Sequence, residues 1–283
     1  MKLDPRELAH HLKLNEELFG QNRPNPQFHQ ASLPFTVRAV RTHQDLQDVL
    51  RLRAACYGRH FGSDGLVRET PDPEDLDPGA VLFLAELKST GEPVGCLRFM
   101  TNRFSRLHIE EFVDLPPDLC HVHLADIRRL SVAKGPGGRL VKLALFKAAY
   151  LHAVANQVRY IVIAAREPLI RDYQAVHFQD LVTGGLYVEL LEKPHRVLFL
   201  DVNKVEYDSR ASGNRLHKTF FHDYHPDIML FEPLRPSWIT GRADDPHRSK
   251  ADVWSSSKND LSRDTEVRRI PASSEEAAKA TAS

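Results

Sequence analysis

Apolar residues fall two apart at Phe35, Val37 and Ala39, with Thr36 and Arg38 between them, which is the alternation of a half-buried strand. The period then lengthens: Leu46, Val49, Leu50 and Leu52 recur at helical spacing behind Thr42, a residue able to cap a helix. Two further apolar runs, residues 80–87 and 93–100, flank the turn Lys88-Ser89-Thr90-Gly91-Glu92 and predict a hairpin. An apolar run at 121–133 then enters Lys134-Gly135-Pro136-Gly137-Gly138, followed by a helical run from 139 to about 157 and a strand at 160–165. Strand, glycine turn, helix and strand make a βαβ unit. Leu140, Val141, Leu143, Ala144, Leu145, Ala148, Ala149 and Leu151 cover most of the helix circumference, so that helix is expected to be largely buried.

Residues 166–181 predict another helix centred on Tyr173 and ended by Gly184-Gly185, and residues 186–191 and 195–202 predict a last strand pair. Residues 101–120 read as irregular apart from a helical turn near Ile109. At the ends the pattern weakens. Residues 4–19 predict a short amphipathic helix behind Asp4 and Pro5, and the breaker-rich stretch after it reads as a linker. The expected organisation is an extension (1–34), a main domain (35–205), an aromatic-rich segment packed on it (206–240) and a polar, disordered tail (241–283). The order β-α-loop-β-β-β-α-β-α-β-β predicts an α/β (α+β) fold, a mixed sheet with helices on its faces.

The chain has 283 residues, 42% of them hydrophobic, which is enough for one sizeable core. Lys+Arg and Asp+Glu both number 38, so no basic surplus points to nucleic acid. The cysteines, Cys56, Cys96 and Cys120, are odd in number and far apart, with neither zinc spacing nor a disulfide framework, and a reducing cytoplasm is expected. No apolar run is long enough to cross a membrane as a helix, and the first residues lack a signal-peptide core. His121 and His123 share a strand face, and His217, His222 and His225 cluster later, but no fixed spacing defines a metal site and none is expected.

Charge in the wrong place supplies the candidate chemistry. Asp126, Arg128 and Arg129 interrupt an otherwise apolar strand, and Arg98 lies between Leu97 and Phe99 in the preceding one. Buried charges are costly unless paired or used. A glycine turn at a helix N-terminus presents backbone N–H groups to an anion. Residues 62–80 form a long loop rich in acids, Pro and Gly, which reads either as a functional loop or as solvated surface.

This order, with a glycine turn after a central strand, resembles the GNAT acyltransferase superfamily over roughly residues 35–200. Within it, the chain is similar to the long-chain N-acyl amino acid synthases and acyl-homoserine-lactone synthases. Three local patterns carry the likeness. Leu52-Arg53-Ala54-Ala55-Cys56-Tyr57 resembles L-R-x-x-x-[FY]. The acids Asp75-Leu76-Asp77 precede a hairpin ending in Gly95-Cys96-Leu97-Arg98, where the family has D-x-x-D-like acids and G-x-x-R. Asp126-Ile127-Arg128-Arg129-Leu130-Ser131-Val132 resembles E-x-S-R-[FL]-x-V, with Asp for Glu and Arg128 in place of a small residue.

The resemblance implies a mostly antiparallel central sheet flanked by helices, with a splayed central strand pair and a donor site at the turn. Val132, Lys134, Gly135, Gly137, Gly138 and Arg139 are the implied donor-binding residues, although Pro136 removes one N–H from the turn and the usual R/Q-x-x-G-x-G/A pattern is not met. The implied donor is acyl carrier protein or acyl-CoA, with no tightly bound cofactor, and the implied acceptor is a small amine. Asp126 is the implied base, with Arg129 and Tyr173 as further catalytic residues, and Arg53, Asp75, Asp77 and Arg98 are implied at the acceptor. Arg98 and Arg129 suit a carboxylate of an amino-acid acceptor, or alternatively a structural ion pair with Asp126. Tyr173 reads as a general acid or as a packing aromatic. Strict alternation puts Asp126 and Arg129 on opposite faces, so one shared cleft requires a bulge or splay. Two other readings stand beside fatty acyl transfer: an acetyl-CoA-dependent N-acetyltransferase, and a non-catalytic module that binds an acyl thioester or a protein.

Overall fold

The computed structural model describes residues 29–61, 70–190, 193–230 and 269–270. The expected helix at 4–19, part of the acidic loop, Phe231, Trp238 and nearly all of the tail lie outside them. Among the described residues one sheet contains β1 (Phe35–Ala39), β2 (Ala80–Leu87), β3 (Pro93–Thr101), β4 (Leu124–Val132), β5 (Tyr160–Ala165), β6 (Gln179–Asp180), β7 (Tyr187–Leu190), β8 (Lys193–Asp201), β9 (Ile228–Met229) and β10 (Arg269–Ile270). The order across it is β10-β7-β8-β5-β4-β3-β2-β1-β9, with β6 beside β8. Pairing is antiparallel except for β4–β5 and β1–β9. The helices are α1 (His43–Phe61), α2 (Gly138–Ala155), α3 (Leu169–Ala175) and α4 (Val205–Ala211).

Period-two alternation divides the core between the two faces. Phe83, Leu97, Phe99, Ala125 and Ile127 point one way and pack with Val141, Ala144, Leu145, Ala148 and Ala149 of α2. Leu82, Leu84 and Cys96 point the other way and pack with Leu46, Val49 and Leu50 of α1. Gly95 brings α2 down onto β3: a Cβ there would overlap Val141 Cγ1 and come within 3.0 Å of Leu145 Cδ1. After α4, Phe220 is buried in the same core cluster. Phe220 and Phe221 stack on Tyr150 of α2 at centroid distances of 5.6 and 5.3 Å, and buried Lys147 donates to the carbonyl of Thr219 at 2.9 Å.

Two irregularities prepare the site. β4 and β5 pair only through Leu124–Tyr160, Ala125–Ile161 and Asp126–Val162, and both strands then run on unpaired with each other. The expected splay therefore opens immediately after Asp126. On the other edge of β4, the register slips between Cys96 and Arg98, with one β3 residue facing two of β4. Arg129 sits at that bulge with φ 55, a left-handed conformation that re-aims its side chain.

Several boundaries differ from expectation. β4 begins at Leu124 rather than near residue 121. The helix around Tyr173 ends at Ala175, because His177 adopts φ 72 and the chain turns back into β6. Gly184 and Gly185, at φ 90 and 86, belong instead to the turn before β7.

Candidate active site

Arg98 of β3 pairs across the ladder with Arg128 of β4, and Met100 with Asp126, so Arg98, Arg128 and Asp126 share one face. Two adjacent guanidinium groups on a buried face need acids, and the chain brings them from a distance. A single 3₁₀ turn, Pro73–Leu76, folds over this face with Asp72 before it. Asp75 is buried and takes Arg53 of α1 at 2.7 Å on one oxygen and Arg98 at 3.0 Å on the other. Arg98 also reaches Asp72 at 3.2 Å and pairs with Glu74. Arg128 Nη1 donates to both Glu74 oxygens, at 2.9 and 3.0 Å. Arg129 Nε lies 2.8 Å from Asp72 Oδ2, a charge contact set off the hydrogen-bond line, and its guanidinium lies over the Tyr57 ring at 5.8 Å. The bulge thus brings Arg129 to Asp72, one of the acids that hold Arg98.

Electrostatics separates the acids. Burial works against ionised Asp75, but Arg53 and Arg98 overcome it and hold its carboxyl below the usual range. Asp126 is different: it is 1% exposed, and neither carboxylate oxygen has a hydrogen-bond partner. Burial pushes its carboxyl up to about 7, against the opposing pull of the Arg128 and Arg98 charges. A carboxylate poised near neutrality and beside the splay can accept a proton and give it up again.

Tyr173 of α3 is buried between Phe146 and Phe178, at centroid distances of 4.8 and 5.2 Å. Burial raises its phenol above the ordinary value, with Asp172, Tyr57 and Asp126 adding to the effect. The phenol therefore keeps its proton at neutral pH.

The glycine turn stands at the far end of β4. Lys134, Gly135, Pro136, Gly137 and Arg139 are exposed, and Val132 and Gly138 are half-buried. Neither Gly135 nor Gly137 has a positive φ, and a Cβ on either would meet nothing within 4 Å. The fold itself does not need glycine there; a bare backbone is useful for close approach by something outside the chain. Lys142 pairs with Asp172 of α3, which leaves Lys134 and Arg139 as the exposed cations at the turn.

Of the residues singled out from sequence, Arg53, Asp75, Arg98, Asp126 and Arg129 come together, and Asp77 does not. Asp77 accepts from the Gly79 amide at 2.7 Å and from the Ser105 hydroxyl. The D-x-x-D spacing is met by Asp72 and Asp75 instead, and Glu74 is an addition that no local pattern marked. His121 and His123 line a separate open cleft of 480 Å³ at the start of β4, with Arg103, Cys120 and Asn156. Among the described residues no group of three His, Cys, Asp or Glu is placed to hold a metal ion.

Comparison with solved structures places the architecture. An N-acyl amino acid synthase from uncultured soil microbes, FeeM, superposes with a TM-score of 0.51 at 14% identity, covering 65% of this chain and 97% of that one. The fold is that of the GNAT acyltransferases. The AHL synthase LasI, which shares it, superposes with a TM-score of 0.50 at 14% identity, covering 70% of this chain and 98% of LasI. No protein-family model and no curated protein sequence matches the chain. The splay after Asp126 and the glycine turn therefore belong to a GNAT fold, in which β4, α2 and β5 form the central βαβ unit.

Proposed function

We propose that this protein is an N-acyltransferase that moves a fatty acyl group from acyl carrier protein or acyl-CoA to a small amine. Asp126 carries the reading: a buried carboxyl without a hydrogen-bond partner, held near pH 7 where the central strands part. An amine is nucleophilic only when neutral, and Asp126 takes its proton directly or through water. The nitrogen then attacks the thioester carbonyl, the C–N bond forms, the C–S bond breaks, and the thiol leaves with a proton. Tyr173, whose phenol stays protonated, is the proposed donor of that proton. The exposed glycines Gly135 and Gly137, with Gly138, Lys134, Arg139 and Val132, form the proposed rest for the donor's phosphate and pantetheine.

Acyl carrier protein is favoured as donor because Pro136 thins the N–H cradle, while Lys134 and Arg139 offer an acidic protein a second source of contact. No described helix is long and apolar enough to cross a membrane, and a cytoplasmic location is proposed on the free cysteines. Mass spectrometry of lipid extracts from cells overexpressing the protein tests the function. New N-acylated amines are expected with the wild type and not with Asp126→Asn. Extracts identical for wild type and vector refute fatty acyl transfer, and N-acetylated products alone favour the acetyl-CoA reading.

A further inference from the structure

The end of the βαβ unit away from the glycine turn has no part in acyl transfer as described above. α2 runs 18 residues from Gly138 to Ala155, about 27 Å at 1.5 Å per residue. At its far end, beside Asn156 and Gln157, lies the 480 Å³ cleft at the start of β4. That volume falls within the range of small-molecule sites. Its walls are the residues after β3, the residues before β4 and the turn between α2 and β5.

The walls are fastened to one another. Asn102 donates from Nδ2 to the Val122 carbonyl at 3.0 Å and accepts from the Leu124 amide at 2.9 Å, which ties the exit of β3 to the entry of β4. The Arg159 amide donates to the His123 carbonyl at 2.7 Å, which ties the entry of β5 to the same place. A cleft held in this way is preformed.

Charge decides what the cleft can take. Arg103, His121 and His123 line it, and no Asp or Glu does. Among the described residues no acid pairs with Arg103, whereas Arg38 takes Asp45 and Arg159 takes Asp201. A guanidinium and two imidazoles are therefore left to donate N–H groups to a ligand. A cation would find little to bind. The carbonyls of the last turn of α2 are taken from within the chain: the Asn156 amide bonds His152 at 3.0 Å, Gln157 bonds Val154 at 3.1 Å and Val158 bonds Ala153 at 2.9 Å, as Gln157 turns left-handed at φ 56. The Cys120 thiol is turned to the Leu115 and Pro116 carbonyls, at 3.4 and 3.5 Å. The negative end of the helix disfavours an anion by about a factor of two to five, less than charge-assisted hydrogen bonds to a guanidinium supply.

We propose that the cleft at the start of β4 is a second ligand site, which takes the phosphate or carboxylate group of a small organic anion on Arg103, His121 and His123. No step of acyl transfer enters this argument, so it stands or falls apart from the N-acyltransferase reading.

The test is a titration of the full-length protein, isotope-labelled at its histidine rings and followed by NMR, with His121→Gln and His123→Gln to assign the two signals. Sodium phosphate, sodium acetate and, as a cation, choline chloride are the probes, at constant pH and ionic strength. The His121 and His123 signals are expected to move saturably with phosphate, acetate or both, at a Kd of about 1 mM, and to stay still with choline. Which anion binds more tightly identifies the group the site prefers. Arg103→Gln, at an exposed residue and with a thermal melt to confirm folding, should weaken that binding about tenfold. Lys134→Glu with Arg139→Glu removes the exposed cations at the glycine turn and should leave it unchanged. Shifts that stay linear to about 50 mM with both anions, undiminished binding in Arg103→Gln, an equal response to choline, or loss of binding in the glycine-turn variant overturns the proposal.

Discussion

Asp126→Asn should make the protein more stable, and by an amount that depends on pH. The carboxyl is moved from an ordinary 3.8 to about 7 by burial. Below pH 4 the group is neutral in both folded and unfolded states and has no effect. Between about 4 and 7 the unfolded chain has released the proton and the folded protein has kept it, so stability falls as pH rises. Above 7 both are ionised and the loss is constant. At about 1.4 kcal/mol for each tenfold in proton affinity, the loss approaches roughly 4 kcal/mol, an upper figure because a real interior relaxes around a charge. Asparagine of similar shape carries no charge to bury. Urea denaturation of wild type and Asp126→Asn at a series of pH values from 4.5 to 8.5 isolates this contribution, since other titrating groups cancel in the difference. The expected result is a stability gain for Asp126→Asn that grows by about 2–4 kcal/mol across that range, with turnover lost. A difference that is flat with pH, or a variant less stable at pH 8 than the wild type, refutes the claim that Asp126 is held near neutrality by burial.

Other substitutions probe the supports of the site. Asp75→Ala takes away the acid paired with buried Arg53 and one of the three around Arg98, and should cost about 3–5 kcal/mol in urea denaturation, whereas a loss under 1 kcal/mol means the cluster is hydrated and loose. Gly95→Val forces α2 off β3 against Val141 and Leu145, with an expected loss of about 1–3 kcal/mol that a thermal melt would register. Lys134→Glu with Arg139→Glu should slow the use of acyl carrier protein far more than that of acyl-CoA, with the gap narrowing as salt rises; equal use of both donors throughout removes the carrier-protein preference.

What was legible in the chain was periodic or punctuated. β5 matches the predicted strand at 160–165, and α2 lies within a residue or two of the predicted helix, because eight apolar positions and a glycine turn fixed its face and start. The β2–β3 hairpin was equally plain. β6 and β9, of two residues each, hold no period to read. The site was legible in parts. Charges inside apolar strands marked Asp126, Arg98 and Arg129. The acids paired with the arginines, Asp72 and Glu74, come from a 3₁₀ turn and the residue before it, more than 20 residues earlier in the chain, and only the fold brings the two sets together. The left-handed Arg129 was hidden too, since arginine has no local preference for φ 55; the bulge is imposed by the register between β3 and β4.

The central claim is acyl transfer with Asp126 as the base, and the most direct measurement is a pH profile of product formation. Purified wild type and Asp126→Asn are given fatty acyl carrier protein or fatty acyl-CoA with a panel of amines, and N-acylated product is quantified by mass spectrometry from pH 5.5 to 9. The account predicts wild-type kcat/KM rising to a plateau through about pH 7, where Asp126 loses its proton, and a fall of about 10²–10⁴-fold in a folded Asp126→Asn. No product from any donor and amine, or a folded Asp126→Asn with wild-type turnover, contradicts it.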